Sequence, residues 1–425
     1  MSTIHKTIAL IVAVSLLAGC GKAASVSDSQ SASQPVDSSA SQSMETPNSM
    51  PQQENPMPLP ADGKSALTGL DTDQQGQRPV AVMMYNQKAA WPQWGIGDAK
   101  ILIEANTEGQ DTWVMGLYDG AQTVEKVGPV GQGRDLFLQM VMPLQAIPMY
   151  IGSDVYASNL VNQYQYQPLD GVYAGTGAYD LDSERAKVYL EQYSWYAHKA
   201  LIESALEQYG QTTEGQPHSF FNFADGSAPQ NSQGYELDVT YGAKRTARLV
   251  YNADDKQYYL YDGDIGQTDA NRPEDAPPAH FTNVVLLMTR SGVKDNSVTR
   301  QYDLTEGEGL YLSGGGSRVL HWKKGGVTAP LQLFDETGAA LAVQPGCTYL
   351  GIYGGFEGQA LKMLGADGAE QALPSTPEPL PTPIPTPSPE PTPVPEPPAE
   401  PESQEQAPEN AEEQPQSQPE TAPAE

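Results

Sequence analysis

An α+β fold is predicted: a mixed α/β N-terminal domain, then a mostly antiparallel β C-terminal domain, flanked by two disordered segments. Three observations carry this. Residues 66–206 mix continuous apolar runs with stretches of helical spacing; residues 235–350 carry short alternating segments; and both ends are polar, one Ser/Gln-rich and one Pro/Glu-rich.

The N-terminus opens with His5 and Lys6, then an apolar run over residues 8–16, then Leu17-Ala18-Gly19-Cys20. That order is a secretory signal over residues 1–19 ending in a lipoprotein cleavage box. The run is shorter than the ~20 apolar residues that cross a hydrocarbon core. A diacylglyceryl thioether on Cys20 is therefore the expected anchor, and two acyl chains suffice for stable attachment. The implied location is the extracytoplasmic face of the cell membrane.

Residues 20–64 are rich in Ser, Gln and Pro and read as a disordered tether. The N-terminal domain spans 65–226. Its strands are expected at 80–85, 101–105, 113–118 and 148–151, with a helix over 135–142. Asp182-Ser183-Glu184 opens a second helical stretch, with apolar residues at helical spacing through Leu190, Leu201 and Leu206 to a Gly210 cap. The Gly/Ser/Asn/Pro/Gln-rich residues 226–234 separate this part from the C-terminal β-rich domain, 234–365. There, strands are expected at 236–241, 247–251, 257–261 and 283–288 and around Tyr311, Trp322 and Tyr349. The turn Asn252-Ala253-Asp254-Asp255 joins two of them. From 374 to 425 Pro alternates with Thr, Glu and Ser, an extended polyproline-like composition with no fold of its own.

The formal charge is -30, from 53 acidic and 23 basic residues. Such a surface argues against nucleic acid and anionic headgroups as ligands. The expected partners are the membrane, through the N-terminal lipid, and a cell-wall glycan, a peptide or an envelope protein. The chain has two cysteines, Cys20 and Cys347, so the mature protein forms no internal disulfide. Cys347 reads as a small buried strand residue.

The motifs of catalysis are sparse. No G-x-S-x-G occurs; Gly314-Gly315-Gly316-Ser317 lacks the Lys of a phosphate loop and reads as a hairpin turn; His198, His218, His280 and His321 stand singly. No catalytic residue, metal or cofactor is expected. The residues that could form a ligand site are Glu104, Glu108 and Arg134. The two acids could form a glycosidase pair, though a salt bridge to Arg134 is the ordinary reading. Arg134 follows Gly128-Pro129-Val130-Gly131-Gln132-Gly133 and precedes a helix, where a guanidinium and backbone amides could hold an anion. Tyr150, Tyr156, Tyr164, Tyr166, Tyr173, Tyr179, Tyr189, Tyr193, Trp195 and Tyr196 crowd one region, suited to glycan or peptide recognition or to packing.

From about Ala66 to Gly355 the chain resembles the YerB-like lipoproteins, a two-part family of unknown function. The resemblance rests on Leu67-Thr68-Gly69-Leu70, Arg78-Pro79-Val80-Ala81-Val82-Met83, Trp91-Pro92-Gln93, Glu104, Glu108-Gly109 and Gly128-Pro129-Val130 with Arg134. In the second part it rests on Asn283-Val284-Val285, Trp322-Lys323-Lys324, Phe334-Asp335-Glu336-Thr337-Gly338 and Pro345-Gly346-Cys347-Thr348. The departures are Gly131, Asp111-Thr112-Trp113, Tyr193-Ser194 and Asp262-Gly263-Asp264-Ile265-Gly266, where the family carries other polar patterns. The resemblance thus implies a divergent member with altered or lost ligand binding.

Overall fold

In the first strands apolar side chains cover both faces, and the architecture shows why. The computed structural model describes residues 57–172, 177–295 and 298–381. The signal peptide, Cys20, most of the tether, Tyr173 and the tail from residue 382 lie outside the described residues. The principal strands are β1 (Val80–Tyr85), β2 (Ile101–Ala105), β3 (Trp113–Tyr118), β4 (Ile147–Tyr150), β5 (Glu236–Gly242), β6 (Arg245–Asn252), β7 (Gln257–Asp262), β8 (Asn283–Met288), β9 (Glu306–Ser313), β10 (Gly316–Lys323), β11 (Thr348–Tyr353) and β12 (Ala360–Leu364). Three helices accompany them: α1 (Asp135–Val141), α2 (Val155–Tyr164) and α3 (Lys199–Gln208). The protein is mostly strand.

One mixed sheet runs from Gln332–Phe334 through β10, β9, β8, β11, β2, β3, β1 and β4 to Leu169–Asp170. Strands from both sequence segments share it: β11 pairs in parallel with β2 on one side and with β8 on the other. A second sheet, in the order β7, β6, β5, β12, is antiparallel.

Alternation along each central strand sorts its side chains between two cores. Val80, Val82, Met84, Leu102, Leu286 and Tyr349 pack towards Leu237, Val239, Tyr241 and Leu249 of the second sheet. Ala81, Met83, Ile103, Leu287 and Leu350 pack with Phe137 and Leu138 of α1 and Ala157 of α2. A sheet covered on both faces requires uninterrupted apolar strands, the pattern read at 80–85 and 101–105.

The long helix expected from Asp182 to Gly210 is instead broken. Asp182 accepts from the Arg185 amide and opens a short 3-10 turn, a second such turn covers Glu191–Tyr193, and Trp195–Tyr196 pairs with Asp180–Leu181. Regular helix begins at Lys199. Val188 and Leu190 are exposed, so the spacing that suggested one amphipathic face does not describe a buried face. The sequence reading also passed over α2, whose Asp154 accepts from the Ala157 amide at 2.8 Å as an N-cap.

Gly314 and Gly315 form the hairpin turn between β9 and β10. Both have positive φ (60° and 78°), as the mirror-image two-residue turn demands. Beyond β12 the chain stays against the protein further than its composition suggests: the Leu380 amide donates to the Ser291 carbonyl at 2.7 Å.

Candidate functional site: two arginine-carboxylate centres

Glu104 occupies an inward position on β2, on the same face as Leu102, where an apolar residue would be the rule. Its side chain is fully buried. Arg245 at the start of β6 meets it in a two-pronged pair, Nε to Oε1 at 2.7 Å and Nη2 to Oε2 at 2.8 Å. Thr112 Oγ1 (2.6 Å) and Asn86 Nδ2 (3.0 Å) donate to Oε1, and Tyr349 OH (3.0 Å) donates to Oε2. Tyr241 OH lies 3.2 Å from Tyr349 OH. A second tier follows, with Gln93 and Gln267 donating to Asn86 Oδ1 at 2.9 and 2.8 Å.

Burial alone would lower the Arg245 pKa, but the Glu104 carboxylate overrides it and holds the guanidinium above its ordinary value. Burial, and then the Glu104 charge, push both Tyr241 and Tyr349 well above the usual phenol range. All three therefore stay protonated donors around one carboxylate. Five hydrogen bonds saturate that carboxylate and leave it no geometry for attacking a substrate.

Glu108 belongs to a different centre. Arg134 donates to it through Nη2 (2.7 Å) and Nε (3.1 Å), and Trp113 Nε1 donates at 2.8 Å. The guanidinium lies 4.6 Å over the Trp113 ring, and its other donors reach the Gly133 carbonyl and Gln132 Oε1. Burial would raise the Glu108 pKa, but the Arg134 hydrogen bonds and charge outweigh it and hold the carboxyl below its ordinary value. Asp154 Oδ2 lies 3.8 Å from Arg134 Nε, and burial pushes that carboxyl up.

The Gly131 and Gly133 amides of the loop before Arg134 are already taken. Gly131 N donates to the Met83 carbonyl and Gly133 N to the Gly152 carbonyl, both at 2.8 Å. Gly131 is small because a Cβ there would come within 2.6 Å of the Trp113 ring. Of the three expected site residues, Glu108 and Arg134 are brought together, while Glu104 is taken up by Arg245. Arg245, Tyr241 and Tyr349 were absent from the sequence reading. The signal was present for Arg245, which falls on the inward parity of Arg245, Ala247 and Leu249, where a charge calls for a buried partner.

The aromatic crowd is largely packing. Tyr150 and Tyr179 are buried, Tyr166 OH donates to the Ala146 carbonyl, and Tyr193 sits edge-on to Tyr85. Tyr196 and Trp94 flank the Lys126 ammonium at 4.2 and 3.8 Å. Cys347 packs against the core just before β11, and burial pushes its thiol up.

Comparison with known proteins fits this architecture. The N-terminal domain model of a protein family of unknown function, DUF3048, matches residues 67–214, and the family's C-terminal domain model matches residues 237–350. The Bacillus subtilis (strain 168) protein named "Putative lipoprotein YerB" is 28% identical over 297 residues, which is 68% of this chain and 86% of that protein. The crystal structure of YerB protein from Bacillus subtilis matches with a TM-score of 0.61 at 23% identity, covering 70% of this chain and 99% of that one, a likeness of fold. The chain, which carries both the N- and the C-terminal DUF3048 domains, therefore belongs to the YerB-like family of unknown function.

Proposed function

We propose that this protein is a lipid-anchored lipoprotein of the extracytoplasmic face of the cell membrane, and that its folded region is a binding or scaffolding module, not a catalyst. The observation that carries the anchor is the Leu17-Ala18-Gly19-Cys20 box directly after an apolar run. The name of its Bacillus subtilis relative supports it. Against the reading as an envelope hydrolase, Glu104 and Glu108 each engage a separate arginine, whereas glycoside hydrolysis needs two carboxyls facing one bond. The cognate ligand would be a cell-wall glycan, a peptide or an envelope protein. In this reading the N-terminal α/β part and the β-rich C-terminal part share the central sheet, and the Glu104–Arg245 pair ties that sheet to the second one.

The test is fractionation. The parent chain should sediment with membranes and partition into detergent, and Cys20→Ser should move to the soluble fraction at undiminished thermal stability. Equal membrane retention by the Cys20→Ser chain would refute the anchor.

A further inference from the structure

Among the described residues, eight of the nine arginines engage a carboxylate or a backbone carbonyl. Arg300 is the exception. Its backbone amide donates to the Thr107 carbonyl at 2.7 Å and its guanidinium lies 4.1 Å over the Phe356 ring, but the buried Nε meets no acceptor. Arg300 lines a cleft of about 270 Å³ between α1 and the hairpin formed by Ser291–Val293 and Arg300–Tyr302.

The rest of the cleft supplies the complementary charge. Lys294 is paired with Asp135 at 2.6 Å, so those two cancel. Asp295 also lines the cleft; it accepts from Tyr156 OH and has no basic partner among the described residues. Two uncompensated charges of opposite sign therefore border one small cavity, with Leu136 and Leu304 as its apolar wall. Four charges that sum to zero disfavour a dianion such as phosphate, which would meet two carboxylates. They suit a ligand that is itself zwitterionic. The volume lies just below the roughly 300 Å³ at which ordinary ligand pockets begin, which restricts the ligand to a small one. A guanidinium grips a carboxylate through a planar fork, while an aspartate accepts an ammonium.

We propose that this cleft binds the α-ammonium and α-carboxylate of a small zwitterion, a free amino acid or a dipeptide, with the carboxylate on Arg300 and the ammonium on Asp295. The proposal rests on the binding-module reading and names its ligand class. It also places the anion-binding guanidinium on Arg300 and not on Arg134, which Glu108 holds.

The experiment titrates the purified, lipidated full chain in detergent with L-alanine and with L-alanyl-L-alanine, using ligand-observed saturation-transfer NMR. The N-acetylated and C-amidated dipeptides serve as blocked probes. At least one zwitterion should bind saturably, which also decides between the two ligand sizes. Blocking either end should weaken binding about tenfold or more, and Arg300→Gln and Asp295→Asn should do the same at unchanged melting temperature. Absence of saturable binding by both zwitterions, equal binding of the amidated probe, or undiminished binding by both variants overturns the proposal. Should Arg300→Gln fail to fold, Asp295→Asn, at an exposed position, decides alone. Release of free alanine from the dipeptide would contradict the non-catalytic reading while leaving the cleft assignment intact; membrane fractionation is independent of both.

Discussion

Glu104 and Arg245 stand 141 positions apart in sequence and meet through two hydrogen bonds of 2.7 and 2.8 Å in a region closed to solvent. Removing one partner strands a buried charge, at a cost of about 3–5 kcal/mol. Arg245→Met should therefore lower stability by that amount in chemical denaturation. Glu104→Gln should behave similarly, and the double variant should recover part of the loss. Strict additivity of the two single changes would show that the pair is uncoupled.

Arg134→Ala should cost less, because Glu108 keeps 28% of its side-chain surface exposed and water can take over part of its solvation. A loss of about 1.5–3 kcal/mol is expected at neutral pH, the range for hydrogen bonds to a charged group. The pH dependence carries its own sign. The folded carboxyl titrates below its ordinary value of 4.5, so its stabilisation is complete above that value and disappears as pH falls through the folded pKa. The stability difference between parent and Arg134→Ala should shrink towards pH 3, roughly an acid limit for carboxylates. A difference independent of pH would remove the ion pair as its cause.

Lys324 behaves in the opposite sense. Its ammonium donates to the Gly326 and Val327 carbonyls at 2.7 and 2.8 Å with no acid paired to it among the described residues, and burial lowers its pKa to about 7. Between that value and the ordinary 10.5, the unfolded chain holds a proton that the folded chain does not. Stability should then rise with pH from about 7 until the raised pKa values of the buried tyrosines reverse the trend near 10. Urea midpoints at about pH 6.5, 8 and 9.5 would check this, with Lys324→Met flattening the rise. A flat parent profile over the same range would rule the idea out.

Truncation separates two parts of the Pro-rich tail. The composition break at Pro374 suggests that residues 374–425 contribute nothing to folding, but the Leu380 amide bonds to the Ser291 carbonyl. Removing residues 382–425 should leave the melting temperature unchanged; removing residues 374–425 should lower it by a few degrees. Equal melting of the two truncated chains would mean that the Leu380 contact contributes nothing.

The central strands were legible because a sheet covered on both faces leaves a local trace, the unbroken apolar runs of β1, β2 and β8. Helix α1 was legible for the same reason, since its apolar residues fall at helical spacing next to Asp135. The stretch from 182 to 198 was not. Its form is set by the Asp182 side chain and by pairing of Trp195–Tyr196 with Asp180–Leu181, contacts that outweigh local spacing. At the site, the sequence offered Arg134 as the partner of the two acids, and Glu108 takes it; the partner of Glu104 was not legible, because Arg245 lies in the other sequence segment. Arg300 gave no local sign at all. Its distinction is the lack of an acid across space, which only the fold reveals.

The place of β11 in the sheet bears on how the chain would mature under the proposed export. β2 and β8 are both flanked by β11, and the Tyr349 that reaches Glu104 follows it by 245 positions. A polypeptide threaded across a membrane from its N-terminus would therefore present β2 with an unsatisfied edge, and Glu104 without its tyrosine, until nearly all the folding sequence has emerged. Closure of the first half waits on delivery of the last strand. For the lipoprotein proposed above, folding on the outer side would thus be a late commitment, and the interval before it is when the chain would be most exposed to proteases and to pairing with other emerging strands.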